Sequence, residues 1–192
     1  MLEVKKLIGG RHKIRQNVQF VLRDKDGKIK PLYQENVVAR FFRKLSGITL
    51  PKMFLFGSYK NALNISNLVT YAGYAGASSR INGAGSEAAF TYIAIGTGTT
   101  AASTADTILE TEITTDGGER ASATCSRVTT AQTNDTAQDV VTFTFTGSFA
   151  VTESGVLNAS SSGVLLARQV FSAINVASGD SLQVTWKFQI SV

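Results

Sequence analysis

The last twelve residues, 181–192, alternate without a break. Leu182, Val184, Trp186, Phe188, Ile190 and Val192 are apolar, while Ser181, Gln183, Thr185, Lys187, Gln189 and Ser191 are polar. A repeat of two is that of a strand with one face in a core and the other in water. A helix would scatter the six apolar side chains around its circumference, so a helical segment is excluded. A strand at a chain end frays unless neighbours hold it. The expectation is therefore a strand inside a sheet or docked on a partner subunit, preceded by a turn at Gly179-Asp180.

The composition suits such a sheet. Of 192 residues, 43% are hydrophobic, enough for a core, but only 17% are charged, below the roughly 25% of ordinary soluble domains. Thr, Ser, Ala and Gly fill the difference, as in sandwiches and in subunits that hide surface in contacts. No apolar run approaches the ~18 residues of a spanning helix, and residues 1–15 lack the apolar stretch of a secretory signal. A single cysteine, Cys125, gives neither an internal disulfide nor a metal cluster.

Charge is split along the chain. Residues 1–60 hold fourteen Lys/Arg and four Asp/Glu, a balance of +10, and residues 61–192 hold five and ten, a balance of −5. Such asymmetry points to a basic arm meeting something acidic. The acidic half of a neighbouring copy meets that need without any further molecule.

Residues 1–16 read as a basic arm with Gly9-Gly10 as its joint. Residues 17–22, Asp24-Lys-Asp-Gly27 and 28–30 read as a hairpin, with Asp-Gly taken as a type I′ turn. Residues 35–45 form the best helix candidate. Val38, Phe41, Phe42 and Leu45 fall on one face and Arg40, Arg43 and Lys44 on the other, with Asn36 and Gly47 as caps and Pro51 as a stop. Residues 53–59 read as a strand. Residues 61–87, rich in Asn, Ser, Ala and Gly and carrying Tyr71 and Tyr74, read as a long contact-making loop. Beyond them come strands over 90–95, 120–130, 140–149, 151–157 and 164–171, with 107–113 as a connector. Turn residues between short strands argue for a sandwich.

Several residues invite a chemical reading. Gly96-Thr-Gly98 follows a strand, but no helix follows to meet a pyrophosphate, so no cofactor is expected. Asp24, Asp26 and Glu35 have the spacing of calcium-loop positions, yet Lys28 and Ile29 stand where a ligand and a glycine are needed, so the hairpin is preferred. His12 has no carboxylate or nucleophile beside it in sequence. Cys125 reads as a small buried side chain. Glu153 reads as part of a turn between strands, with no acid spaced for catalysis. The aromatics among the basic residues of the first third match no RNA-stacking motif, so nucleic acid is not the expected partner.

Phe90-Thr-Tyr-Ile-Ala-Ile-Gly-Thr-Gly-Thr-Thr, Asp106-Thr-Ile-Leu-Glu110-Thr-Glu112-Ile, Glu153-Ser-Gly-Val-Leu-Asn158-Ala, Leu165-Leu-Ala-Arg168 and Gly179-Asp-Ser-Leu-Gln-Val-Thr-Trp186 together resemble a module of tailed-bacteriophage structural proteins. Similar order occurs in fibre and baseplate-attachment regions and in small virion proteins. The resemblance covers residues 17–192 by order of elements and is specific only after Phe90. It implies a non-catalytic building block whose Gly and Leu-Asn positions serve turns and packing.

The expectation is a mostly β protein: an antiparallel β-sandwich over 88–192, preceded by an arm (1–16) and a region of hairpin, one short α-helix and contact loop (17–87). Its role would be that of a virion subunit, assembled in the bacterial host cytoplasm, on the tail or baseplate or as a decoration of the capsid exterior. Its partners would be other virion proteins and copies of itself, with no small-molecule substrate, cofactor, metal or membrane. The expected contact residues are Lys5, Lys6, Arg11, Lys13, Arg15, Arg40, Arg43, Lys44, Tyr71 and Tyr74. The rival readings are a DNA-binding module through residues 1–60 and a glycan-binding or glycan-cleaving protein.

Overall fold

The alternating segment is the middle of a sheet. In a computed structural model, which describes residues 13–46 and 55–191, the chain forms β1 (Lys13–Arg23), β2 (Ile29–Lys30), β3 (Leu32–Glu35), α1 (Val37–Ser46), β4 (Gly57–Lys60), β5 (Leu63–Ser66), β6 (Leu68–Val69) and α2 (Tyr71–Asn82). There follow β7 (Tyr92–Gly96), β8 (Ala121–Ser122), β9 (Thr124–Val128), β10 (Thr136–Thr144), β11 (Phe149–Leu157), β12 (Leu165–Val176) and β13 (Ser181–Ser191). β13 lies between β1 and β10 and pairs antiparallel with both, from Lys13↔Ser191 to Arg23↔Ser181 on one side. Leu182, Val184, Trp186 and Phe188 are buried in the core, and of the polar residues between them Gln183 is exposed and Lys187 half-buried, while Thr185 and Gln189 are buried. The alternation outruns the core at Ile190, which is exposed.

Two sheets make the sandwich. The first runs β2-β1-β13-β10-β9, with β5 also on β1, and the second runs β6-β12-β11-β7-β8. Their inner faces meet through Phe20 and Phe171, whose ring centroids are 4.3 Å apart. Trp186 Nε1 donates across the core to Ser154 Oγ at 3.1 Å, and Ser154 Oγ donates on to the Ala94 carbonyl at 2.9 Å. Each fully buried side chain of this size contributes about 1.5–3 kcal/mol, and the indole leaves no donor unpaired. β3 and β4 form a separate small ribbon, with Tyr33 and Tyr59 edge to face.

Several expectations are corrected. β1 starts at Lys13, inside the expected arm, because full-length pairing with β13 makes Lys13–Arg23 part of the sheet. Residues 17–87 are likewise not apart from the sandwich, since β1, β2 and β5 are strands of its first sheet. The hairpin at Asp24–Gly27 is present, but its turn is not type I′: only Gly27 has positive φ, and Asp24 Oδ1 accepts from the N–H groups of Asp26 and Lys28. The expected strand over 140–149 is divided, ending at Thr144 and resuming at Phe149. Cys125 is exposed because β9 is an edge strand.

The largest correction falls on residues 61–87. They hold β5, β6 and the helix α2, capped by Thr70, whose Oγ1 accepts from Gly73 N–H at 2.8 Å. Gly83 ends it at φ +70°, a left-handed conformation that suits glycine. α2 lies on β12, where Gly73 packs so closely on the Leu166 backbone that a side chain would collide, and Gly76 meets the Phe90 ring. Small residues at the contact were the reason the segment looked like loop. Residues 1–12, with Lys5, Lys6, Arg11 and His12, and Gly47, Pro51 and Met53 lie outside the described residues.

Candidate functional site

Between β7 and β8 the chain makes a long strap, residues 97–119, across the outer face of the second sheet. It carries Asp106, Glu110, Glu112, Asp116 and Glu119 and no Lys or Arg. The cations that hold it come from other elements. Glu153 on β11 and Arg168 on β12 both project from the outer face, one register step apart beside Gly155↔Arg168. Arg168 Nε donates to Glu153 Oε2 at 2.7 Å, its Nη1 to Asp106 Oδ2 at 2.8 Å and its Nη2 to Glu110 Oε2 at 3.5 Å.

Glu153, at 0% exposure, is the keystone of the strap. Its Oε1 accepts from the N–H groups of Gly98 (3.1 Å) and Thr111 (2.7 Å), and its Oε2 accepts from Glu110 N–H (3.1 Å) as well as from Arg168. A carboxylate has about four acceptor sites, and all are filled, so this group holds structure and has no lone pair left for a substrate proton. Beside it Ala94, Leu109, Leu157 and Leu165 form a small apolar cluster under the strap. Burial works against the Arg168 charge, but the hydrogen bonds to Asp106 and Glu153 outweigh it and raise its pKa. Glu110 is held below the usual carboxylate range first by the Thr100 hydroxyl and then by the Thr100 N–H.

The Gly96-Thr-Gly98 motif finds its reason here. A Cβ on either glycine would stand 2.5 Å from Glu153 Oε1. The glycines let the backbone approach a buried carboxylate, the opposite of a phosphate cradle. Glu153 thus belongs to a strand and not to the expected turn. A second clamp fixes the far end of the strap: Arg120 forms a two-pronged pair with Glu112 at 2.8 and 2.6 Å and donates to the carbonyls of Ala159 and Ser162. Asn158, singled out in sequence, shapes that loop by accepting from Val164 N–H at 2.7 Å.

The expected contact residues are spread over several elements. Lys13 and Arg15 are in β1, opposite Ser191 and Gln189, and Arg43 and Lys44 are in α1. Arg40 is exposed on α1 and lines, with Glu35 and Phe171, a cavity of about 20 Å³, room for little more than a water. Tyr71 and Tyr74 are exposed on α2. The helix α1 was expected to bury Val38 and Phe41, and the structure exposes both, together with Val37 at 72%. Only Ala39 of its first turns is buried. Asn36 fixes that orientation, with Oδ1 accepting from Ala39 N–H and Nδ2 donating to the Leu55 carbonyl. Periodicity requires that an apolar face be covered by something, and among the described residues the chain does not supply the cover for Val37 and Val38.

Sequence reading missed the Glu153–Arg168 pair. The available signal was one acid within the apolar run 151–157 and one base within 165–170, a combination that two paired, buried strands tolerate only if the charges meet. No family model, no curated protein and no solved structure matches this chain.

Proposed function

We propose that the chain is a non-enzymatic structural subunit of a tailed-bacteriophage virion, on the tail or baseplate, working through contacts with other virion proteins and with its own copies. The observation that carries this reading is where the apolar surface lies: Val37 and Val38 on α1 and Tyr71, Tyr74 and Ile81 on α2 are exposed. Surface of this kind marks interaction sites. The most polar cluster, around Glu153, spends its hydrogen bonds on the fold itself. The edge strand β9 adds five residues with only Arg127 charged, a row of backbone groups open to pairing. The resemblance of residues 90–186 to phage structural modules supplies the virion context.

The test is to purify particles from infected cells and cross-link them. The chain is expected in intact particles at a fixed stoichiometry, cross-linked to tail or baseplate proteins. Cross-links to the shell alone would move it to the capsid exterior as a decoration protein. Absence from purified particles would end the reading.

A further inference from the structure

Beside the strap lies an open cleft of about 420 Å³, lined by Thr100, Asp106, Ile108 and Glu110 over Arg168. Among the described residues Arg168 is the one cation paired with Glu153, Asp106 and Glu110, so these four side chains carry a formal charge of −2. Ile108 is 65% exposed at the cleft. Tyr71, 68% exposed, stands at the margin because its N–H is bonded to the Thr104 carbonyl at 2.8 Å. Tyr71, Tyr74 and Ile81 share one face of α2, the face turned away from Gly73, Gly76 and β12. An exposed apolar helix face therefore runs into an anionic cleft.

The chain contains a segment of matching chemistry. Residues 1–12 carry Lys5, Lys6 and Arg11 against Glu3, a balance of +2, together with Leu2, Val4, Leu7 and Ile8. We infer that the cleft and the α2 face receive residues 1–12 of a neighbouring copy, the cations entering between Asp106 and Glu110 and the apolar side chains lying on Ile108 and Tyr71. This rests on the assembly reading and names its acceptor. A neighbour is favoured over the same copy by the position of β1: its first residue, Lys13, belongs to the first sheet, whereas the cleft lies on the outer face of the second, with the sandwich core between them. Because donor and acceptor differ, the contact is heterologous and repeats head to tail. Its electrostatic part weakens with salt.

The test uses full-length variants in sedimentation velocity at low salt. Ile108→Lys damages the acceptor only, and Lys5→Glu/Lys6→Glu damages the donor only. The unaltered chain is expected to associate with rising concentration, and each variant to remain a monomer over a range at least about tenfold higher. Mixing the two variants leaves one intact donor and one intact acceptor and is expected to give a dimer. Unchanged thermal melts confirm that these exposed changes leave the fold alone. A monomeric unaltered chain, variants that associate like it, or a mixture that stays monomeric would each overturn the inference. Presence of the chain in particles is scored separately, so the assembly reading can stand while this acceptor fails.

Discussion

The strap and α1 are both additions to the same sandwich, and they are held in opposite ways. The strap is acidic and is fixed by charges supplied from strands beneath it, with Glu153 and Arg168 sealed from solvent. The helix α1 is basic and amphipathic, and it sits on the β3 end through Ala39 and the Asn36 cap while Val37 and Val38 face outward. Polar interactions have gone into the interior in one region and apolar side chains have gone to the surface in the other. The difference separates a segment whose partners are described residues of the same chain from one whose apolar side chains no described residue covers.

Glu153→Leu is the sharpest way to break this comparison. It strands the Arg168 guanidinium and the N–H groups of Gly98, Glu110 and Thr111, and a stability loss of about 3–5 kcal/mol is expected in urea unfolding. A variant as stable as the unaltered chain would show that the strap is not held by its charges. Gly98→Ala tests the close approach: its Cβ would meet Glu153 Oε1 and Glu110 Cβ, each at 2.5 Å, and overpacking of this kind costs about 1–3 kcal/mol.

Asp139 sharpens the same point, because it is buried with no cation paired to it among the described residues. Burial raises its pKa from the ordinary 3.8, against a smaller lowering by the Cys125 hydrogen bond. Desolvation, followed by the hydrogen bond and charge of Asp139, pushes the Cys125 thiol up to about 11. Below pH 3.8 Asp139 is protonated in both the folded and the unfolded chain. As pH rises the unfolded chain ionises first, so stability falls between 3.8 and the raised folded value. Asp139→Asn is expected to remove that fall, giving a melting temperature that gains on the unaltered chain across this window and holds the gain at neutral pH. A gain that instead vanished toward neutral pH would contradict the assignment. The smallest effect is expected from Val37→Ser, within about 0.5 kcal/mol in thermal melts, because this side chain gives the isolated fold almost nothing. A larger loss would mean that α1 is covered within the chain after all.

What could be read in sequence follows from the range of the forces involved. β13 was legible because a period of two is local, and the Asp24–Gly27 hairpin because Asp and Gly favour a turn in isolation. α2 was not, since its stability comes from Thr70 and from glycines pressed against β12, and glycine in a helix argues against the helix until a neighbour is known. The Glu153–Arg168 pair depends on register between two strands with a bulge between Val151 and Glu153, which no local pattern encodes. Exposure of α1 was hidden for the converse reason: amphipathicity shows that a face wants cover and does not say whose.

The position of β13 has a consequence for how the molecule is made. β1 and β10 do not pair with each other, since β13, which follows both in sequence, lies between them. A nascent chain lacking residues 181–191 has a gap through the middle of its first sheet and Ser154 without its indole donor. Closure of the first sheet must therefore wait for β13, and the sandwich is expected to form in one cooperative step with no half-built sheet persisting beforehand.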